Sequence, residues 1–211
     1  MNSLPRRLAL FAAPAVVAML ATLALAATGC GGGYSGGSSR STSAPQATSQ
    51  ARAFAWLRPS PPPRAWQTSQ LPGGVARLAY PLGWQSIRSD PGTVSAAVRA
   101  PTEEIRGYLN ATPRQGAETL SNWGSFRLDH NRDEGDVDVK PVASATNLRF
   151  RGGHGSCVID TYTSSTGRSY REVACIVAGA RATTVVVGAA PPAQWSRQGP
   201  ALERAISSFL T

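Results

Sequence analysis

The stretch SCVIDTYTSSTGRSYREVACIV, residues 156–177, decides how this chain folds. In an antiparallel hairpin the numbers of paired residues have a constant sum. Cys157 and Cys175 sum to 332, and so do Ile159 with Val173 and Tyr162 with Tyr170. The centre falls at Thr166. That leaves Ser165-Thr166-Gly167 as a three-residue loop with Gly at its last position, where such loops adopt positive φ. Turn chemistry, a cross-strand aromatic pair and a cysteine pair therefore agree on one register. In that register the two cysteines face each other and form a disulfide, for which a Cα separation of roughly 4.4–6.8 Å is suitable. The alternative is a pair of free buried thiols. The same register sets Asp160 opposite Glu172, and like charges directly opposite repel. An arginine must shield them, or the face must be wet, or the pair must do chemistry.

Working outward, alternating and β-branched runs predict strands at Val75–Tyr80, Val94–Arg99, Ile105–Asn110, Val139–Ala145 and Ala182–Ala189, beside the hairpin strands Ser156–Thr163 and Ser169–Val177. Thr112, Pro113 and Gln115 read as an N-cap, a first-turn proline and a capping box. The helix they open buries Ala117, Leu120 and Trp123 and leads into an acidic loop from Asp129 to Asp138. After the break at Pro191-Pro192, Leu202, Ile206, Phe209 and Leu210 recur at helical spacing in a closing helix. The expectation is an α+β domain over residues 67–211, an antiparallel β-sheet flanked by helices. At 145 residues it is long enough for one core.

Several of these features occur together in a known family. Tyr80-Pro81-Leu82-Gly83-Trp84 follows an early strand, a capped helix lies mid-chain, and a meander comes after it. The last strand runs into Ala189-Ala190-Pro191-Pro192, then Trp195 and a final helix ending Ser207-Ser208-Phe209. This order resembles the PsbP-like domain of bacterial extracytoplasmic lipoproteins and of the photosystem II extrinsic protein. The resemblance covers roughly residues 67–211. It implies an antiparallel sheet between helices and a binding or assembly role. It carries over no catalytic residue, because the shared motifs contain none.

The N-terminus sets the compartment. Arg6 and Arg7 precede an uncharged run from Leu8 to Ala27, and small residues come next. A basic start, an apolar run and a small-residue exit read as an export signal, residues 1–29. Ala27-Thr28-Gly29-Cys30 resembles the lipobox of bacterial lipoproteins, with Ala27 where Leu is usual. That resemblance implies cleavage before Cys30 and a lipid, palmitate included, on the mature N-terminus. Cleavage near Ala27 with release, or an uncleaved span of roughly 20 residues, are the other readings of this stretch. All three place residues after 30 outside the cytoplasm, and the lipid reading gives localisation at the outer face of the cell membrane. The three cysteines fit it: with Cys30 lipidated, an even pair remains for an oxidising compartment.

Residues 30–66 form a tether. Gly, Ser, Thr, Ala and Gln dominate up to residue 53, and Pro59, Pro61, Pro62 and Pro63 stiffen its second part. Ala53-Phe54-Ala55-Trp56-Leu57 is an apolar island. Two exposed tryptophans on a linker would be adhesive, so Trp56 and Trp66 are expected to strap onto the domain. The net charge is +9, but residues 67–211 hold 15 basic and 12 acidic side chains and are only +3. Between Cys30 and Trp66 there are four arginines and no acid. The excess thus sits in the tether, where an anionic lipid surface attracts it. No nucleic-acid partner is expected, since such a binder concentrates charge on the folded domain.

Candidate chemistry is sparse. Gly152-Gly153-His154-Gly155-Ser156 lacks the Gly-x-Ser-x-Gly elbow of a serine hydrolase, because Ser156 enters a strand. No phosphate-binding loop and no zinc spacing is present, so no cofactor is expected. Asp129, Asn131, Asp133 and Asp136 space oxygen ligands in the manner of a calcium loop. However, Gly135 comes one residue late and Lys140 stands where the bidentate Glu belongs. The expectation is therefore a lipid-anchored envelope module, not an enzyme, that binds or scaffolds an envelope protein or small ligand. An envelope enzyme using Asp160 and Glu172 is one alternative, and a calcium-dependent adhesion or assembly module is the other.

Overall fold

A computed structural model describes residues 52–211 of the chain; Cys30, the signal segment and the first part of the tether lie outside the described residues. A two-stranded sheet pairs β1 (Gln67–Gln70) with β2 (Arg77–Tyr80). A seven-stranded antiparallel sheet contains β3 (Gln85–Ile87), β4 (Val94–Arg99), β5 (Ile105–Pro113), β6 (Val137–Phe150), β7 (Gly153–Thr163), β8 (Ser169–Gly179) and β9 (Thr183–Ala190), in the order β3-β4-β5-β9-β8-β7-β6. Two helices complete it: α1 (Trp123–Asp133) and α2 (Trp195–Ser208). This is the α+β architecture expected from the sequence.

The hairpin β7–β8 has the register read from its residue sums: Cys157 pairs with Cys175, Ile159 with Val173, Asp160 with Glu172 and Tyr162 with Tyr170. The Ser164 amide donates to the Arg168 carbonyl at 2.8 Å, closing a loop in which Gly167 has φ +78°. Cys157 and Cys175 are joined by a disulfide, their Cα atoms 4.1 Å apart. That is slightly closer than expected. Directly opposed residues of paired strands already approach to about 4.5 Å, so strand pairing sets the spacing here.

Side chains alternate across a sheet, so each cross-strand row belongs to one face. The row Ala111–Val186–Cys175–Cys157 belongs to the face under α2. There Leu109, Val173, Val177, Leu202, Ala205, Ile206 and Phe209 form the main core, each fully buried. Gly188 lies where α2 crosses: a Cβ there would come within 3.3 Å of Leu202 Cβ. On the opposite face, Trp123 packs with Val158, Ala174, Ile176, Val185 and Val187 in a smaller cluster under α1.

Three sequence expectations need correction. No helix begins at Thr112. Thr112 and Pro113 end β5, paired with Val185 and Thr184 of β9, and proline is tolerated at such a strand end. The reciprocal cap lies seven residues on. The Asn122 amide donates to Thr119 Oγ1 at 3.2 Å, and the Thr119 amide donates to Asn122 Oδ1 at 2.6 Å. The acidic run from Asp129 is helix up to Asp133. It ends at Gly135, φ +88°, where the Asp136 amide donates to the Asn131 carbonyl and the Gly135 amide to that of Arg132. This is a Schellman closure. Finally, Leu210 is not helical: it bridges Arg77 and Arg151 after Phe209 turns extended.

Trp56 and Trp66 pack against the main core as a strap, and Phe54 beside them is buried at 3 % exposure. The strap is tied to α2. The Ser60 amide donates to the Ser207 carbonyl, and Arg204 donates to Ser60 Oγ at 2.6 Å and to the Pro61 carbonyl at 2.9 Å. Residues 54–66, read with the tether, thus lie against the domain. At the far edge of the large sheet, β6 pairs with β7 in runs of at most three residues separated by bulges.

Candidate functional site

The face under α1 carries the chemistry. Along β5, Tyr108, Asn110 and Thr112 alternate onto this face, level with Ala189, Val187 and Val185 of β9. The neighbouring rows on β8 and β7 are apolar at Ala174, Ile176 and Val158, so β5 adds a polar column to an otherwise oily wall. Asn110 Nδ2 donates to Ser95 Oγ at 2.8 Å, and Gln115 Nε2 donates to Thr112 Oγ1 at 3.1 Å. These side chains line a cleft of about 280 Å³ between β5, β9 and α1, bounded on the helix side by Arg127, His130 and Glu134. A second hollow of about 230 Å³ shares Thr112, Gln115, Arg127, His130 and Val185 with it and reaches Trp123 and Phe126. Glu118 closes that end. Its carboxylate accepts the Gln115 and Gly116 amides at 2.6 and 2.7 Å.

Helix α1 is held down at two points one turn apart. Trp123 Nε1 donates to the Ala174 carbonyl at 2.9 Å. Four residues on, Arg127 makes a two-pronged pair with Glu172: Nε to Oε1 at 2.6 Å and Nη2 to Oε2 at 2.8 Å. This is the arginine that the Asp160–Glu172 register required. It could have been found in the sequence, because Arg127 lies one helical turn after Trp123 and must share its face.

Asp160 and Glu172 are brought together as the register predicts, and both are buried. Their roles differ. Glu172 lines the cleft and has both oxygens engaged by Arg127. Asp160 is 0 % exposed. Burial, then the charge of Glu172, push its carboxyl up to about 8, against the pull of Arg127. Burial and the neighbouring carboxylate thus favour the protonated form of Asp160, while Arg127 is clamped on Glu172. Tyr162 Oη lies 3.5 Å from Glu172 Oε2, and burial with that carboxylate raises its phenol well above the usual range. General acid–base work needs a group within hydrogen-bond reach of its substrate, and Asp160 offers no such access.

His130 stacks on Phe126 with ring centroids 6.2 Å apart and sits 3.2 Å from Glu134. The bond to Glu134 raises the imidazole pKa and lowers that of the carboxylate. The four oxygen ligands of the calcium reading are spread around the end of α1. Asp129 is exposed and accepts from Arg132 at 2.6 Å, Asn131 is buried, and Asp133 and Asp136 flank the Gly135 turn. Among the described residues no three His, Cys, Asp or Glu side chains gather as a metal would need.

No family model and no curated protein matches the sequence. Solved structures do match. Cyanobacterial PsbP (CyanoP) from Synechocystis sp. PCC 6803 is similar at 13 % identity and TM-score 0.51, over 69 % of this chain and 91 % of that one. LpqN of Mycobacterium tuberculosis, a protein involved in cell envelope biogenesis, is similar at 10 % identity and TM-score 0.41, over 69 % and 89 %. A Bacteroides thetaiotaomicron protein gives 12 % and 0.42, over 69 % and 48 %. The likeness to CyanoP shows that the chain has a PsbP-like fold.

Proposed function

We propose that this chain is an extracytoplasmic binding module, held at the outer face of a membrane by a lipid on Cys30, and that its ligand site is the cleft between α1 and the sheet. The observation that carries the reading is the polar column Tyr108, Asn110 and Thr112, set against the apolar wall of β9 inside that cleft. The lining is mostly polar, with Val185 and Val187 as its apolar part, so hydrogen bonds would orient a ligand there. The charged groups at the helix side are paired among themselves: Arg127 with Glu172, and His130 with Glu134. Asp90 also lines the cleft, so a ligand would meet neutral hydrogen-bonding groups beside one further carboxyl group. The disulfide supports an oxidising compartment, since such bonds persist outside the cytosol.

The test is native mass spectrometry of the mature lipoprotein extracted gently from its own envelope. A small molecule retained by the wild type and lost in the pair Asn110→Ala, Thr112→Val supports the cleft. Equal retention by both proteins, or a partner that cross-links only to the α2 side, overturns it. The anchor has its own readout. Radiolabelled palmitate should mark the wild type and not Cys30→Ser, and labelling of both would remove Cys30 as the lipid site.

A further inference from the structure

The strap brings an unusual set of side chains to the α2 layer. Residues 52–66 contain Arg52, Arg58 and Arg64 and no acid. Arg52, Arg58 and Arg64 are all exposed, while the apolar part of the same segment is turned inward: Phe54 is buried and Trp56 and Trp66 are half-buried against the core. A groove of about 270 Å³ runs between strap and helix, lined by Trp56, Arg58, Pro200, Glu203, Arg204 and Ser207. Arg204 fixes the strap by its bonds to Ser60 and Pro61. Glu203 is the acid in this groove, and burial raises its carboxyl pKa against the pull of Arg171; the three strap arginines outnumber it. The strap is thus a rigidly mounted basic edge with indole rings at its base. Each arginine beside an anionic leaflet contributes attraction.

We propose that the strap and the adjoining side of α2 dock flat on an anionic phospholipid surface, beyond any anchoring by the lipid itself. Charge complementarity selects this occupant, and so does the route of the chain: the segment leading from Cys30 enters the described structure at residue 52, on this same edge. A consequence is orientational. Helix α2 and the strap cover one face of the sheet, and α1 with its cleft covers the other. With the strap on the lipid, the cleft opens away from the membrane, towards whatever occupies the envelope space.

The experiment uses the mature chain carrying Cys30→Ser, which has no lipid, and measures co-sedimentation with phosphatidylcholine vesicles with and without phosphatidylglycerol. Binding should require phosphatidylglycerol and fall with salt. The triple variant Arg52→Gln, Arg58→Gln, Arg64→Gln should bind more weakly by about fivefold per arginine removed. Lysine at the same three positions should restore binding, which separates charge from any loss of strap structure. The triple Arg88→Gln, Arg114→Gln, Arg168→Gln, with the same net charge, should bind as the wild type. No binding to phosphatidylglycerol vesicles, or equal loss in both glutamine triples, overturns the proposal. Neither result bears on ligand retention in the cleft, which Asn110 and Thr112 report separately.

Discussion

Asp160 and Glu172 face each other from β7 and β8, both buried, yet only Glu172 is paired with Arg127. Two carboxylates on one face of a sheet would repel if both were ionised. The arrangement holds because one keeps its proton and the other has a guanidinium clamped on it from α1. The polar centre of this face therefore depends on one contact between helix and sheet.

Arg127→Met is expected to destabilise the domain strongly at neutral pH, by about 3–5 kcal/mol, because it strands the buried Glu172 charge. Adding Glu172→Leu should recover much of the loss. Urea denaturation of the two single variants and the double variant measures the coupling. A small effect of Arg127→Met alone would mean that water, not arginine, satisfies Glu172.

The pH dependence has a definite sign. Folded Asp160 holds its proton up to about 8, whereas the unfolded side chain releases it near 3.8. Between those values the unfolded state binds fewer protons, so this group lowers stability as pH rises, by at most about 1.4 kcal/mol per pH unit. Glu172, Arg127 and Asp136 act on it electrostatically, and they remain in Asp160→Asn. Melting curves at pH 5 to 8 should therefore fall less steeply for Asp160→Asn than for the wild type. Parallel curves would show that Asp160 is already ionised in the folded protein.

Reducing agent should lower the melting temperature of the wild type and leave the Cys157→Ala, Cys175→Ala double variant unchanged. The bridge spans a sequence separation of 18, for which chain-entropy reasoning gives on the order of 3 kcal/mol. The double variant should still fold, because the rest of the core under α2 stays in place. Circular dichroism in both redox states decides it.

Thr119→Ala should cost about 1 kcal/mol through loss of the side-chain bond that closes the turn leading into α1, whereas Thr112→Ala should leave helix content unchanged. Millimolar calcium should not shift the melting temperature of the wild type. A saturable rise with calcium would restore the run Asp129–Asp136 as a binding site.

Long-range strand pairing was legible wherever several local signals shared one register. Cys157, Tyr162 and Gly167 each constrain the same hairpin, and the three agree. The entry to α1 was not legible in the same way. Thr112-Pro113-x-Gln115 reads as a cap, and pairing of Thr112 with Val185 on a distant strand overrides that local signal. The cleft was hidden for the same reason. Asn110, Gln115 and His130 are ordinary residues in sequence and meet only because β5 lies next to β9 in the sheet. The strap was readable from its tryptophans, but its socket for Phe54 depends on a core built almost wholly from later residues.

The edge strand β6 governs how copies of the protein meet. Its bulges, Pro141, and the positive φ of Asp138 and Asn147 leave no straight ladder of free amides and carbonyls for another chain to zip onto. Val137 and Val142 are exposed on it, so a regular strand here would be adhesive. An edge this broken gives a neighbouring copy no regular template to extend.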